Sequence, residues 1–99
     1  MICERSRIDA LSYYWLWKLG LLLSSDDGAD SLWRWLASEL GLRNDEVETF
    51  QSSLNPGYSV IKHWSRHNDD CSIRVLRNIL GDVLNRPDLV EVIDKARRS

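Results

Sequence analysis

Three side chains that could bind a metal ion follow one another at intervals of four: His63, His67 and Cys71. On a continuous helix this spacing would place the two imidazoles on one face, as in some zinc sites. The polar residues 68–70 predict, however, that the helix ends near residue 68, which takes Cys71 off that face, and structural zinc sites usually have four ligands. We therefore expect no metal and no other cofactor; exposed histidines here would instead make pH-sensitive contacts.

No motif in the chain predicts catalysis. The sequence contains no glycine-rich phosphate loop, no G-x-S-x-G and no H-E-x-x-H. Its carboxylates fall in predicted loops and first helical turns, where helix capping and solubility account for them. We therefore expect that the chain is not an enzyme.

The composition is that of one soluble globular domain. The 99 residues are 43% hydrophobic and 28% charged, which argues against disorder. A net charge of −2 does not indicate the basic surface that nucleic-acid binding requires. The apolar run at residues 13–23 is interrupted by Lys18 and is too short for membrane insertion. Two cysteines without metal-box spacing favour a reducing, cytoplasmic location.

The helical period recurs along the chain and predicts six helices, which makes the fold all-α. The first is expected to run from Ile8 to Leu23 with Trp15 inward and Tyr13 and Trp17 roughly opposite. Gly41 is placed to end the second helix, and Asn44, Asn55-Pro56 and Ser72 to begin later ones. Short connections favour an antiparallel bundle. The predicted core includes Trp15, Trp33, Leu36, Leu40, Phe50, Trp64, Leu76 and Leu80.

An ordered set of motifs resembles the death domain family. Residues 33–42 read W-x-x-L-A-x-x-L-G-L, which looks like the second helix of that family, and residues 45–50 resemble its short acidic third helix. Trp64 stands where the family has a tryptophan late in helix four. Residues 72–84 are similar to its fifth helix, and residues 86–90 to the start of its sixth, most closely in receptor members.

The resemblance implies a six-helix Greek-key bundle over residues 8–98, with residues 1–7 as an N-terminal extension. It also implies a non-catalytic interaction module that recruits death-domain receptors, adaptors or kinases in apoptotic, inflammatory or innate immune signalling. Self-association is a further expectation, because contact between unlike patches propagates.

Charged and aromatic residues suggest three surfaces for such contacts. The interpretation competes with an ordinary solvated surface for the charges and, for the first helix, with burial on all sides. The predicted acidic patch comprises Asp26, Asp27, Asp30, Asp45, Glu46 and Glu48. The predicted basic patch comprises Lys62, His63, Arg66, Arg74 and Arg77. The predicted apolar contact comprises Tyr13, Trp17 and Trp35.

An alternative function uses the fourth helix differently. Lys62, His63 and Arg66 could make it the reading helix of a small nucleic-acid-binding domain. The acidic neighbours and the negative net charge argue against this alternative.

Overall fold

Six α-helices make up most of the part of the chain that the computed structural model describes, residues 2–24 and 32–98. They are α1 (Tyr13–Leu23), α2 (Leu32–Glu39), α3 (Asn44–Phe50), α4 (Pro56–His67), α5 (Ile73–Asn78) and α6 (Pro87–Arg98). A 3₁₀-helix (Ile8–Ala10) precedes α1, and α5 continues as a π-helical turn (Ile79–Val83). In the described residues no strand forms, and no helix is long and apolar enough to cross a membrane.

The first helix differs from its prediction because the helical conformation is interrupted between residues 10 and 13. Leu11 and Ser12 are extended, with ψ of 150° and 152°. The helical register therefore starts afresh at Tyr13, and α1 buries Leu16 and Leu23 rather than Trp15. The prediction that Trp15 lies in the core is wrong: its side chain is only half-buried.

The same register effect appears near the end of α5. The wider π turn over Ile79–Val83 adds a residue to the turn, so that Leu84 is buried and Val83 is exposed. The helical spacing of Leu76, Leu80 and Val83 predicts instead that Val83 is buried. Leu76 and Leu80 lie before the shift takes effect, and both are fully buried.

Helix ends mostly follow the capping residues in the sequence. Asn55 caps α4 by accepting a hydrogen bond from the Tyr58 N–H at 3.0 Å, and Ser72 caps α5 by accepting from Val75 at 3.2 Å. Gly41 has a φ of +82° after α2, as its C′ position requires. Asn44 was expected to cap α3, but the cap is Arg43, whose N–H donates to the Glu46 carboxylate at 3.3 Å.

One core fills the centre of the bundle. Trp33 and Trp64 are 5% and 4% exposed, and Leu36 is fully buried. Leu40 and Phe50 were expected in this core but are half-buried at its edge, because α2 ends at Glu39 and Phe50 is the last residue of the short α3. The N-terminal segment also packs on the bundle.

Residues 2–7, which the sequence predicts as an extension, hydrogen-bond to α6 and to the start of α5. The N–H of Ile2 donates to the Arg97 carbonyl at 2.9 Å. The N–H groups of Ile73 and Arg74 donate to the carbonyls of Ser6 and Glu4 at 2.9 and 2.7 Å. The boundary at residue 8 stays a prediction.

Candidate protein-interaction surfaces

Two glycines allow α1 and α4 to lie in direct backbone contact. A Cβ atom on Gly20 would lie 2.8 Å from the Cα of Tyr58, and one on Gly57 would lie 2.9 Å from the Cβ of Leu23. Both distances are shorter than carbon atoms tolerate, so neither position accepts a larger residue without a shift of the helices. This close approach fixes which face of α4 points away from the bundle.

A buried polar network holds the same junction. Asn55 is 2% exposed and donates from Nδ2 to the Trp17 carbonyl at 2.9 Å. The Ser24 hydroxyl donates to the Gly20 carbonyl at 2.8 Å and accepts from the Gly57 N–H at 2.8 Å. The end of α1 and the start of α4 are thereby joined through side chains as well as by packing.

Three aromatic rings gather on the outer side of this junction. Tyr13 stacks on Trp17 with ring centroids 5.7 Å apart, and Tyr58 meets Tyr13 and Trp17 at 5.5 and 5.2 Å. Tyr13 is 63% exposed, and Trp17 and Tyr58 are half-buried. We call Tyr13, Trp17 and Tyr58 the aromatic cluster. It offers a pre-arranged apolar surface to a partner.

Two cations of α4 continue this surface. Lys62 and Arg66 follow Tyr58 at successive intervals of four and so lie along one side of the helix. Neither side chain has an ionic partner within residues 2–24 and 32–98. Tyr58 and Lys62 line both a cleft of about 150 Å³ toward the 3₁₀-helix and α1 and a shallower depression of about 220 Å³ toward α3. We call the aromatic cluster with Lys62 and Arg66 the α1–α4 face.

Among the described residues, the side chain of His63, unlike those of Lys62 and Arg66, already contacts an acidic side chain. Its Nε2 lies 3.2 Å from a Glu46 carboxylate oxygen, and its ring lies 5.6 Å from that of Phe50 and 4.3 Å from that of His67. It therefore joins α4 to α3. The side chains of the predicted acidic and basic patches meet here on one molecule.

The third candidate metal ligand lies in a different environment from the two histidines. Cys71 is fully buried, and its Sγ lies 3.7 Å from the Ser65 carbonyl. Among residues 2–24 and 32–98 no three histidine, cysteine or acidic side chains come together as a metal site would require.

The described half of the predicted acidic patch is neutralised by the chain itself. Asp45 lies 3.3 Å from Arg43, and Glu48 lies 3.6 Å from Arg34. The carboxylates of both pairs are largely exposed, which makes each pair weak and easily exchanged for a partner's cation. Asp26, Asp27 and Asp30 lie outside the described residues.

The predicted basic patch divides into two regions. Arg74 and Arg77 lie on α5 rather than beside Lys62 and Arg66, and Arg77 pairs with Asp94 of α6 at 3.1 Å. The hydrogen bond that Arg77 donates to Asp94 raises the pKa of the Arg77 guanidinium, with the carboxylate charge adding to the effect and desolvation opposing it. These residues belong to a separate arginine-rich region.

The remaining aromatic residues are spread over other faces. Trp35 of α2 is 46% exposed. On α1, Tyr14 is exposed, and the Lys18 ammonium lies 5.8 Å from its ring centroid and 5.3 Å from that of Trp15. The outer face of α1 is therefore open to solvent in part.

Sequence reasoning missed Tyr58, although its signal was present. Once Asn55-Pro56 fixes the start of α4, the spacing from Tyr58 to Lys62 and Arg66 can be read directly. The contact between Tyr58 and α1 had no such signal, because it depends on two glycines that are far apart in sequence.

Comparisons with known proteins agree with this architecture. A family model described as "Death domain" matches residues 18–97. The death domain-containing membrane protein NRADD of Mus musculus is 29% identical over 68 residues, which cover 68% of this chain and 29% of that protein. Its Rattus norvegicus counterpart is 31% identical over 62 residues, covering 62% and 27%.

The chain thus spans less than a third of the length of these curated relatives. No solved structure matches it significantly. The all-helical bundle, with six helices in its described residues, agrees with the fold that the family match implies. By the match over residues 18–97, this chain belongs to the death domain family, whose fold is a non-catalytic interaction module.

Proposed function

We propose that this domain recruits other death-domain proteins, as receptor, adaptor or kinase partners, through the α1–α4 face. The observation that carries the proposal is the juxtaposition of the aromatic cluster with Lys62 and Arg66, two cations that have no ionic partner in the described residues. Tyrosine, tryptophan and arginine side chains such as these dominate the energetics of many protein interfaces. Because the chain belongs to the death domain family, we expect its partner to be another helical domain of that family.

The partner surface that fits this face is acidic. Asp45 and Glu48 on α3 have exposed carboxylates whose pairs with Arg43 and Arg34 are weak. Contact between an α1–α4 face on one molecule and an α3 surface on the next joins unlike patches, so it repeats along an open string or closes into a ring. Self-association and recruitment of a related partner then follow from one geometry.

Recruitment of this kind raises the local concentration of effectors, and we place it in apoptotic, inflammatory or innate immune signalling. Both cysteines are free thiols, which fits a reducing cytoplasm. Family membership favours this function over nucleic-acid binding by α4.

Charge reversal tests the proposal. We expect sedimentation velocity to detect assembly that grows with protein concentration and weakens as salt is raised, because exposed charges are screened. Arg66→Glu and Asp45→Arg should each weaken assembly about tenfold, which corresponds to about 1.4 kcal/mol. The double variant should recover part of the loss, since the exchanged charges attract again.

Arg5→Glu serves as the matched control, because Arg5 is an exposed arginine outside the α1–α4 face. It should assemble like the parent. A parent domain that stays monomeric at high concentration and binds no death-domain partner at low salt contradicts the proposal.

A further inference from the structure

A second basic region lies where α5 and α6 meet. Its centre is Asp94, which is surrounded by Arg77, Arg97 and Arg98, and together these four line an open depression of about 280 Å³. We call the three arginines the arginine cluster. They lie on elements other than the α1–α4 face, so a role for them is independent of the recruitment proposed above.

The cluster is held in place by a network of hydrogen bonds. Asp94 accepts from Arg77 Nε at 3.1 Å and Nη2 at 3.4 Å, and Arg97 Nη1 lies 3.5 Å from the same carboxylate. Arg97 Nε also donates to the Ile2 carbonyl at 2.9 Å, and Arg98 Nε to the Asp94 carbonyl at 3.2 Å. The guanidinium groups are therefore partly positioned before any ligand arrives.

The depression has an excess of positive charge and of hydrogen-bond donors. Three guanidinium groups line it against one carboxylate. Each guanidinium has five N–H donors, and the bonds to Asp94 and to main-chain carbonyls use only a minority of them. Arg74 is exposed one turn before Arg77 on α5 and adds charge at the margin, while Glu4 acts on Arg77 from the N-terminal segment.

The lining also limits what kind of anion fits. None of the described residues that line the depression is aromatic or apolar. It therefore provides no aromatic ring for a nucleobase to stack on and no apolar pocket for the side chains that flank a phosphorylated residue in a peptide. A compact molecule with several phosphate groups satisfies the donors without such contacts, and planar guanidinium forks match phosphate oxygens well.

We propose that the arginine cluster binds the phosphate groups of an inositol polyphosphate, either as the free molecule or as a lipid headgroup. The ligand's phosphate oxygens accept hydrogen bonds from the outward N–H groups of Arg77, Arg97 and Arg98. Asp94 orients the two arginines that it pairs with and lowers the affinity by its own charge.

Isothermal titration calorimetry with inositol hexakisphosphate at physiological salt tests this binding. The parent domain should bind, and Arg98→Gln should bind about tenfold more weakly, because it removes one charge-assisted contact. The matched control is the double variant Lys62→Gln/Arg66→Gln, which removes two charges from the α1–α4 face and should bind like the parent. No binding by the parent, or an equal loss in the control, overturns the proposal.

Asp94→Asn gives a test in the opposite direction. If the variant melts cooperatively by circular dichroism, it should bind inositol hexakisphosphate several-fold more tightly than the parent, because the opposing carboxylate is gone. A folded Asp94→Asn domain that binds more weakly contradicts the proposed site. Arg98→Gln keeps the test decisive if Asp94→Asn fails to fold, since Arg98 is exposed and, among residues 2–24 and 32–98, its side chain bonds within α6.

Vesicles separate the two sources of the ligand. Phosphatidylcholine vesicles with and without phosphatidylinositol bisphosphate are sedimented with the parent domain and with Arg98→Gln. Binding only to the bisphosphate vesicles, reduced in Arg98→Gln, supports the lipid headgroup. Binding of inositol hexakisphosphate in solution without vesicle binding supports the free molecule.

Discussion

The inner and outer faces of α4 each carry an aromatic residue, yet their surroundings differ completely. Trp64 lies on the inner face, 4% exposed, among the apolar side chains of the core. Tyr58 lies on the outer face, against Tyr13 and Trp17 and next to Lys62. One side of α4 therefore contributes to the stability of the core, while the other stays partly exposed and is the side that we propose for recognition.

The largest expected effect belongs to the inner face. Trp64→Ala should lower the free energy of unfolding by about 3–5 kcal/mol, since it removes a buried indole and leaves a cavity. Trp35→Ala is the matched control, because Trp35 is half-exposed on α2 and its truncation should cost far less. Urea denaturation of both variants measures the difference. Equal losses would contradict the division between core and surface aromatics.

A second effect concerns the junction that orients the two faces. Asn55→Ala should cost about 2–3 kcal/mol, because it removes the cap of α4 and leaves the buried Trp17 carbonyl without its donor. Asn55→Ser keeps a capping oxygen and loses the amide donor without burying a charge, so its loss should be smaller. Chemical denaturation with both variants separates the two contributions. A loss in Asn55→Ser as large as that in Asn55→Ala would show that the amide bond to Trp17, which both variants lack, outweighs the cap.

The outer face should behave in the opposite way. Tyr58→Ser/Lys62→Gln should weaken assembly roughly tenfold while changing the free energy of unfolding by only about 0.5–1 kcal/mol, because the removed groups are partly solvated. Light scattering against concentration gives the first quantity and urea denaturation the second. Unchanged assembly in this variant would show that the outer face of α4 takes no part in recognition.

The smallest effect depends on pH and lies far from α4. A hydrogen bond from Arg86 lowers the pKa of Asp88 at the start of α6, and desolvation opposes the shift. A carboxyl group with a lower pKa in the folded state contributes stability above its unfolded pKa of about 3.9 and loses it as the pH falls through the folded value. The difference in unfolding free energy between the parent and Asp88→Asn should therefore be constant near neutral pH and disappear in acid. A difference that grows in acid would contradict this sign.

Much of the fold could be predicted because capping residues and helical spacing are local signals. Asn55-Pro56, Ser72 and Gly41 mark helix ends that the structure has in the same places. The errors at Trp15 and Val83 arise where a short irregular segment shifts the helical register by one residue. No residue type in the sequence marks such a segment.

The surfaces were harder to predict, since the role of a charge depends on what lies opposite to it in three dimensions. His63 meets Glu46 and Arg77 meets Asp94 across helix boundaries, whereas Lys62 and Arg66 meet no such partner in the described residues. The five basic residues look alike in the sequence. Only the packing of α4 on α3, and of α5 on α6, separates those that hold the fold together from those that face outward.

The separation of the two faces of α4 is tested most directly by sedimentation velocity of Lys62→Gln/Arg66→Gln beside the parent, over a range of concentrations at low salt. We predict that the variant stays monomeric where the parent assembles, with an unchanged melting temperature. Assembly of the variant at the same concentrations as the parent would show that the outer face of α4 is not needed for assembly.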